Sequence, residues 1–211
     1  KGASKMRDAC ISGDGLNPAV SSAAILSLSM RRGAAIHDTF LFNPSLESVG
    51  KWYRQLLGES IGKTSNIGIM PTVSIGSTDL HSVGQLYLGG PKNRITTFVG
   101  IEPDNKEKKI TGTFSKTLVP DASGKSLSQI MNAIMAGVQQ SYEKKKLPFM
   151  AVTMSGSNAE ELGGWMQWKM IEIMILGHLL GVNPFNQPNV EEYKIETKKF
   201  LRATGSPPSR G

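Results

Sequence analysis

Arg94-Ile95-Thr96-Thr97-Phe98-Val99-Gly100-Ile101 is the clearest strand in the chain, a run of β-branched and aromatic residues that fit a pleated surface. Shorter apolar runs at Ala34 to Phe42, Ile67 to Ser74 and Phe149 to Met154 read the same way, and helical patterns separate them. Strands that alternate with helices build βα units around a mostly parallel sheet, so the fold class is α/β.

Outward from this strand, helix signals are placed at intervals that suit such a sheet. Lys1 to Ile11 reads as a helix end, and Asn17-Pro18 opens the next helix with an N-cap and an N1 proline, which Gly33 closes. Ser45 is the expected cap of a helix whose apolar positions Leu46, Val49, Trp52, Tyr53, Leu56 and Leu57 recur at spacings of three and four. Ser77 or Thr78 is the expected cap of one helix running to Gly89-Gly90-Pro91, and Ile110 to Phe114 is expected to pair with the central strand. Ser126 to Lys145 reads as an amphipathic helix, Asn158 opens a long one to Gly181, and Asn189 to Ala203 forms the last. A Gly/Ser/Pro tail over 205–211 is expected to be disordered.

With 211 residues and 39% hydrophobic content, the chain can bury one sizeable core or two small ones. Its 24 basic and 17 acidic residues give a net charge of +7, which attracts phosphorylated metabolites, nucleic acid or anionic lipid about equally. Nucleic acid is disfavoured, because the lysines scatter and the one dense run, Lys144-Lys145-Lys146, sits at a helix C-terminus that cations complement. A single cysteine, Cys10, excludes an intrachain disulfide, and with no secretory signal at its start the chain reads as intracellular and cytoplasmic. Trp165 to Leu180 is the most apolar stretch. Lys169, Glu172 and His178 interrupt it, and a bilayer needs about 20 apolar residues, so it reads as a helix of a core or subunit interface.

Few residues offer chemistry. Glu59 stands near a helix end followed by Ser60 and Gly62, where a carboxylate can face a cleft as a general base. The same stretch imitates a phosphate-binding loop, but three residues separate Gly58 from Gly62 where that loop needs four, and a helix precedes it instead of a strand. His81 lies one turn into its expected helix, whose dipole favours the neutral imidazole. Lys194 lies one turn into the last helix and can bind oxyanions or protonate a ring oxygen. Each of the three, taken alone, reads more readily as a surface, capping or packing residue than as a catalytic one. His37 and His178 have no polar cluster near them and are read as structural. No Cys/His set has metal-ligand spacing, and no Gly-x-Ser-x-Gly elbow is present.

Three segments in order carry a more specific signal. They are Trp52-Tyr53-Arg54-Gln55-Leu56 with Glu59-Ser60 and Gly62-Lys63; Gly76, Thr78-Asp79 and His81-Ser82 with Gln85-Leu86-Tyr87; and Gly181 to Pro188 with Val190-Glu191 and Lys194. Together they resemble the glucose-6-phosphate isomerase family, in its C-terminal sugar-isomerase (SIS) domain. The resemblance implies a three-layer α/β/α fold, with a flavodoxin-like parallel sheet and helices on both faces. It implies that Glu59 moves a proton between C1 and C2 through an enediol, without a cofactor or metal. It further implies that His81 and Lys194 open the sugar ring and that Gln55 and Gln187 line the site of a phosphorylated hexose. A homodimer is implied, with His81 supplied across the interface.

Residues 1–204 correspond to that one domain, and the family's N-terminal SIS domain is absent from this chain. Also missing are the Ser/Thr-rich loop that grips the phosphate and the Gly-Gly-Arg of the linking region. Ser115-Lys116-Thr117 copies that loop only superficially and at the wrong place in the order. The opening Lys1-Gly2-Ala3 corresponds to the middle of the family's chain. Asn189 and Tyr193 replace glycines common in relatives. The competing expectation is a phosphosugar-binding SIS domain without catalysis, and a third is a dimerising remnant. No contact with nucleic acid or membrane is expected.

Overall fold

The computed structural model describes residues 1–12, 17–104, 106–111 and 119–204. Four strands, β1 (Ile36–Leu41), β2 (Met70–Ile75), β3 (Arg94–Ile101) and β4 (Phe149–Met154), pair in the order β2-β1-β3-β4, every pair parallel. The order reverses at β1 and β3, the switch point of a doubly wound sheet. Around the sheet lie α1 (Gly2–Ile11), α2 (Pro18–Arg31), α3 (Glu47–Ile61), α4 (Thr78–Ser82), α5 (Gly84–Gly89), α6 (Leu127–Lys144), α7 (Ala159–Leu180) and α8 (Glu191–Thr204).

The period of two along β1 and β3 divides the core into two layers. Leu41, Ile95 and Val99 meet Leu26 of α2, Tyr53 and Leu57 of α3, and Trp165, Ile173 and Leu176 of α7. On the opposite face Phe40, Phe42 and Phe98 meet Met135 and Tyr142 of α6, with Tyr87 and Leu88 of α5 beside them. A leucine such as Leu26, Leu57 or Leu176, each fully buried, contributes about 1.5–3 kcal/mol. The three-layer α/β/α arrangement expected of the chain is therefore the one it adopts.

Local chemistry sets the helix ends. Asn17 accepts from the amides of Ala19 and Val20 ahead of Pro18, and Asn158 accepts from those of Glu160 and Glu161. Ser126 and Gln129 form a reciprocal capping box. Gly181 ends α7 at φ 70°, a left-handed conformation that glycine adopts at no steric cost. The run Lys144-Lys145-Lys146 closes α6, as expected.

Three local expectations fail. Ser45 does not cap α3: Asn43 accepts from the Ser45 amide at 3.0 Å and opens a short 3-10 turn, Pro44–Leu46, because an amide oxygen two residues earlier reaches the free N–H first. The helix after β2 is not continuous. Neither Ser77 nor Thr78 caps it, Asp79 accepts from the Ile75 amide at 2.7 Å, and α4 and α5 break at Val83. Ile110 does not join β3; its amide donates to Lys125 and its carbonyl accepts from Gly124, both at 2.8 Å. Residues 112–114 of that expected strand, Ser115 to Thr117 and the tail over 205–211 lie outside the described residues.

Two of the three residues that interrupt Trp165 to Leu180 are buried. Lys169 and Glu172, 1% and 0% exposed, pair at 2.7 Å, and the Tyr53 hydroxyl donates to the second Glu172 oxygen at 2.5 Å. The Lys169 ammonium stands 4.4, 4.8 and 4.9 Å from the ring centroids of Trp168, Trp165 and Tyr53, a cation among electron-rich faces. Burial pushes the Glu172 carboxyl up, but the adjacent ammonium and the hydrogen bonds from Lys169, Ser22 and Tyr53 together outweigh it and hold the group below its ordinary value. Among the described residues no helix is long and apolar enough to cross a membrane.

Candidate functional site

Glu59 stands in the last turn of α3 with both carboxylate oxygens engaged. Gln55, one turn earlier, donates its side-chain amide to Oε1 at 3.0 Å, and Gln187, on the loop between α7 and α8, donates to Oε2 at 3.0 Å. These are two separate sequence regions, and the parallel topology brings them together. Both α3 and α7 return from the C-terminal edge of the sheet to its N-terminal edge, so their last turns meet there. A side chain at Gly50 would strike Leu41 at the end of β1, whereas one at Gly58 would touch Pro71 at the start of β2. That direction is what places Glu59 beside the 183–190 loop.

A cavity of about 250 Å³ opens at this meeting point, lined by Glu59, Gly62, Lys63, Gln187, Pro188 and Asn189 among others. Lys63 is a functional candidate that the sequence alone does not single out. Its ammonium donates to the Glu59 carbonyl at 2.6 Å and to the Asn186 carbonyl, while Asn189 donates its side-chain amide to the Lys63 carbonyl at 3.1 Å. Partial burial lowers the Lys63 pKa against the pull of the Glu59 charge. In sequence a lysine just past a helix end reads as a solvated cap, and only the distant carbonyl of Asn186 distinguishes it. The imitation of a phosphate-binding loop dissolves here too, since Gly58 and Gly62 belong to a helix C-terminus instead of a turn from strand into helix.

The other two expected proton-transfer residues stand apart. His81 is exposed on α4, directly beyond the C-terminal end of β2, whereas Glu59 lies where β2 begins. Six strand residues span roughly 20 Å at about 3.3 Å each, so one chain holds the two side chains at opposite edges of its sheet. The dipole argument for a neutral His81 also loses its basis, because α4 has five residues and His81 is in its last turn. Lys194 is in the first turn of α8 and pairs with Glu191 at 2.8 Å, which raises its pKa. Among the described residues no hydrogen bond joins His81 or Lys194 to Glu59.

His37 is structural in the sense expected: fully buried, it shares a hydrogen bond with the Thr97 hydroxyl at 2.8 Å, and burial lowers its pKa to about 4. His178, expected to be a structural residue of a buried helix, lies on α7 but is exposed. Larger cavities lie elsewhere, one of about 540 Å³ between α1, the end of β4 and the start of α7, and one of about 520 Å³ beyond β1 and β3. Neither contains any of the five candidate residues. Among the described residues, no group of three His, Cys, Asp or Glu side chains is placed to hold a metal ion.

Known proteins resemble this chain over most of its length. Glucose-6-phosphate isomerase of Lactobacillus helveticus is 36% identical over 185 residues, which cover 87% of this chain and 41% of that protein. The Lactobacillus gasseri enzyme is 33% identical over 191 residues, covering 87% and 41%. A probable glucose-6-phosphate isomerase of Methanococcus maripaludis is 33% identical over 190, covering 90% and 42%. The chain belongs to the glucose-6-phosphate isomerase family.

Within that family the chain spans about two fifths of the length of the curated relatives it matches and corresponds to a C-terminal-like portion of them. Two crystal structures share its fold. A hypothetical protein of Thermus thermophilus superposes with a TM-score of 0.87 at 24% identity, over 95% of this chain and 49% of that one. A glucose-6-phosphate isomerase of Chlamydia trachomatis superposes with a TM-score of 0.74 at 16% identity, over 90% and 39%. No protein-family model matches the chain.

Proposed function

We propose that this chain supplies part of the active site of an aldose–ketose isomerase that interconverts glucose 6-phosphate and fructose 6-phosphate in the cytoplasm. The observation that carries the reading is the Glu59 carboxylate, held by one amide donor on each oxygen at the rim of a cavity, in a chain of this family. In the open-chain sugar one base on one face of C1 and C2 suffices. Glu59 removes the proton from C2 of the aldose, an enediol forms, and the same proton returns to C1 as the hydroxyl proton passes from O2 to O1. Gln55 and Gln187 hold the plane of the carboxylate so that one of its oxygens sweeps both carbons, and a positioned base of this kind is worth about 10² to 10⁴ in rate.

His81 and Lys194 carry the earlier step, opening the pyranose ring. Because His81 lies about one strand length from Glu59 in its own chain, the reading requires a second copy whose His81 reaches this Glu59, and hence a homodimer. The net charge of +7 is compatible with a phosphorylated substrate, as it is with any anionic partner. Grip on the phosphate falls to an N-terminal domain outside this sequence, so this chain alone is an incomplete catalyst.

The test is conversion of fructose 6-phosphate to glucose 6-phosphate by this chain and by the intact protein. Turnover in the intact protein, with little or none in the chain alone, is the expected result. A folded intact protein that binds either sugar phosphate without converting it would replace this reading with a phosphosugar-binding domain.

A further inference from the structure

We infer that Lys63 is a positioning residue of this site: it straps the end of α3 to the 183–189 loop and thereby sets the distance between Gln187 and Glu59. The inference rests on the isomerase reading above. Glu59, Gly58, Ser60 and Ile61 supply the last four carbonyls of α3, which no later helical turn can satisfy. Gly62 takes the Gly58 carbonyl at 3.2 Å, and no basic residue occupies the last turn itself. Lys63, two positions past the helix, folds its side chain back and donates to the Glu59 carbonyl at 2.6 Å. A second of its three ammonium protons goes to the Asn186 carbonyl, next to Gln187 in the chain.

The strap closes in the other direction through Asn189, whose side-chain amide donates to the Lys63 carbonyl at 3.1 Å. The backbone of Glu59 and the backbone of Gln187's neighbour are thus clamped by one cation, and the pair of side chains they carry meets at 3.0 Å. Without the cation the loop keeps, among the described residues, two side-chain hydrogen bonds to this end of α3, from Gln187 to the Glu59 carboxylate and from Asn189 to the Lys63 carbonyl. Two unpartnered carbonyls then turn to water, and the 183–189 loop is free to retract. Glu59 keeps Gln55, which belongs to its own helix, but loses its fixed plane. Substrate still enters the cavity; what degrades is the aim of the base. The expected signature is therefore a loss in kcat with KM little changed, and a displacement of about 1 Å at a reacting group costs up to about 10²-fold.

The experiment compares wild type, Lys63→Met, Lys63→Arg and Glu59→Gln in the intact protein, reading kcat and KM for fructose 6-phosphate together with hydrogen–deuterium exchange over residues 183–189. The expected result for Lys63→Met is a kcat lower by about 10- to 100-fold, KM within about threefold of wild type, and faster exchange in the loop. Lys63→Arg, which can still donate to both carbonyls, recovers most of kcat and of the protection. Wild-type kcat in Lys63→Met, or a loss that falls on KM alone, overturns the inference. A kcat loss without faster loop exchange also overturns it, because Lys63 then acts by a route other than the strap. A folded wild-type protein with no turnover sinks the isomerase reading itself, an outcome distinct from an active wild type that Lys63→Met leaves unaffected.

Discussion

Gln187 donates its side-chain amide to Glu59 at 3.0 Å across 128 positions of sequence, so the carboxylate is oriented by a residue from the far end of the chain as well as by Gln55 of its own helix. A carboxylate held on both oxygens is a better base than a freely rotating one, because less of its motion must be frozen in the transition state.

Replacing Glu59 with Gln keeps the volume and the cavity but removes the base. In the intact protein kcat should fall by about 10² to 10⁴, with a much smaller change in the affinity for fructose 6-phosphate. Steady-state assays with matched binding measurements decide it, and near-normal turnover would remove Glu59 from the mechanism.

The separation of His81 from Glu59 along β2 makes a prediction about mixing. His81→Ala and Glu59→Gln proteins, each nearly inactive, should regain activity when dissociated and reassociated together, since a mixed dimer holds one site with neither change. Random pairing puts about half of the dimers in the mixed form with one of two sites intact, so recovery should approach about a quarter of wild type. No recovery, with mixed dimers demonstrated, would mean that each chain uses its own His81 or none.

Lys169 and Glu172 are a buried pair whose separation leaves a charge in an apolar core. Lys169→Met should cost about 3–5 kcal/mol in urea unfolding, because it strands the Glu172 carboxylate. The double change Lys169→Met with Glu172→Met should cost clearly less than the sum of the two single changes. Additive losses would show that the pair is not coupled.

His37 makes stability depend on pH. Its pKa is about 4 in the fold and near 6.5 in the unfolded chain, so between these values the unfolded chain binds a proton that the folded protein does not. Its neutral-state contribution is fully present above pH 6.5 and is lost as pH falls towards 4, by at most about 1.4 kcal/mol per unit. The groups that face it are Lys169, which also lowers its pKa, and Glu172, which opposes them. Asp38, whose carboxyl burial pushes up, works in the opposite direction on the same limb. The contribution of His37 is therefore read by difference: unfolding free energy between about pH 7 and 5.5 should fall more steeply in wild type than in His37→Gln. Equal slopes would show that His37 is protonated within the fold.

The alternation of strands and helices was legible because each element carries its own signal. Arg94–Ile101 declares a strand by composition, Asn17-Pro18 and Asn158 declare helix starts by chemistry confined to one turn, and Gly181 declares a stop. Failures came where a competing partner lay a residue or two away, as with Asn43 before Ser45 and Asp79 inside the expected cap of α4. Lys169 and Glu172 could be seen as interruptions of an apolar run, but the three aromatic rings around Lys169 could not, because Tyr53 comes from another helix.

The order and spacing of local motifs, then, were enough to determine an α/β fold and kinship with the isomerase family, since both are written in short segments read independently. What only the tertiary structure decided is which of those segments meet. Parallel strands send every returning helix back to the same edge of the sheet, so the ends of α3 and α7 converge and Glu59, Gln187 and Lys63 gather around one cavity. The same rule carries His81 to the opposite edge, a consequence of strand direction that no local pattern in the chain encodes.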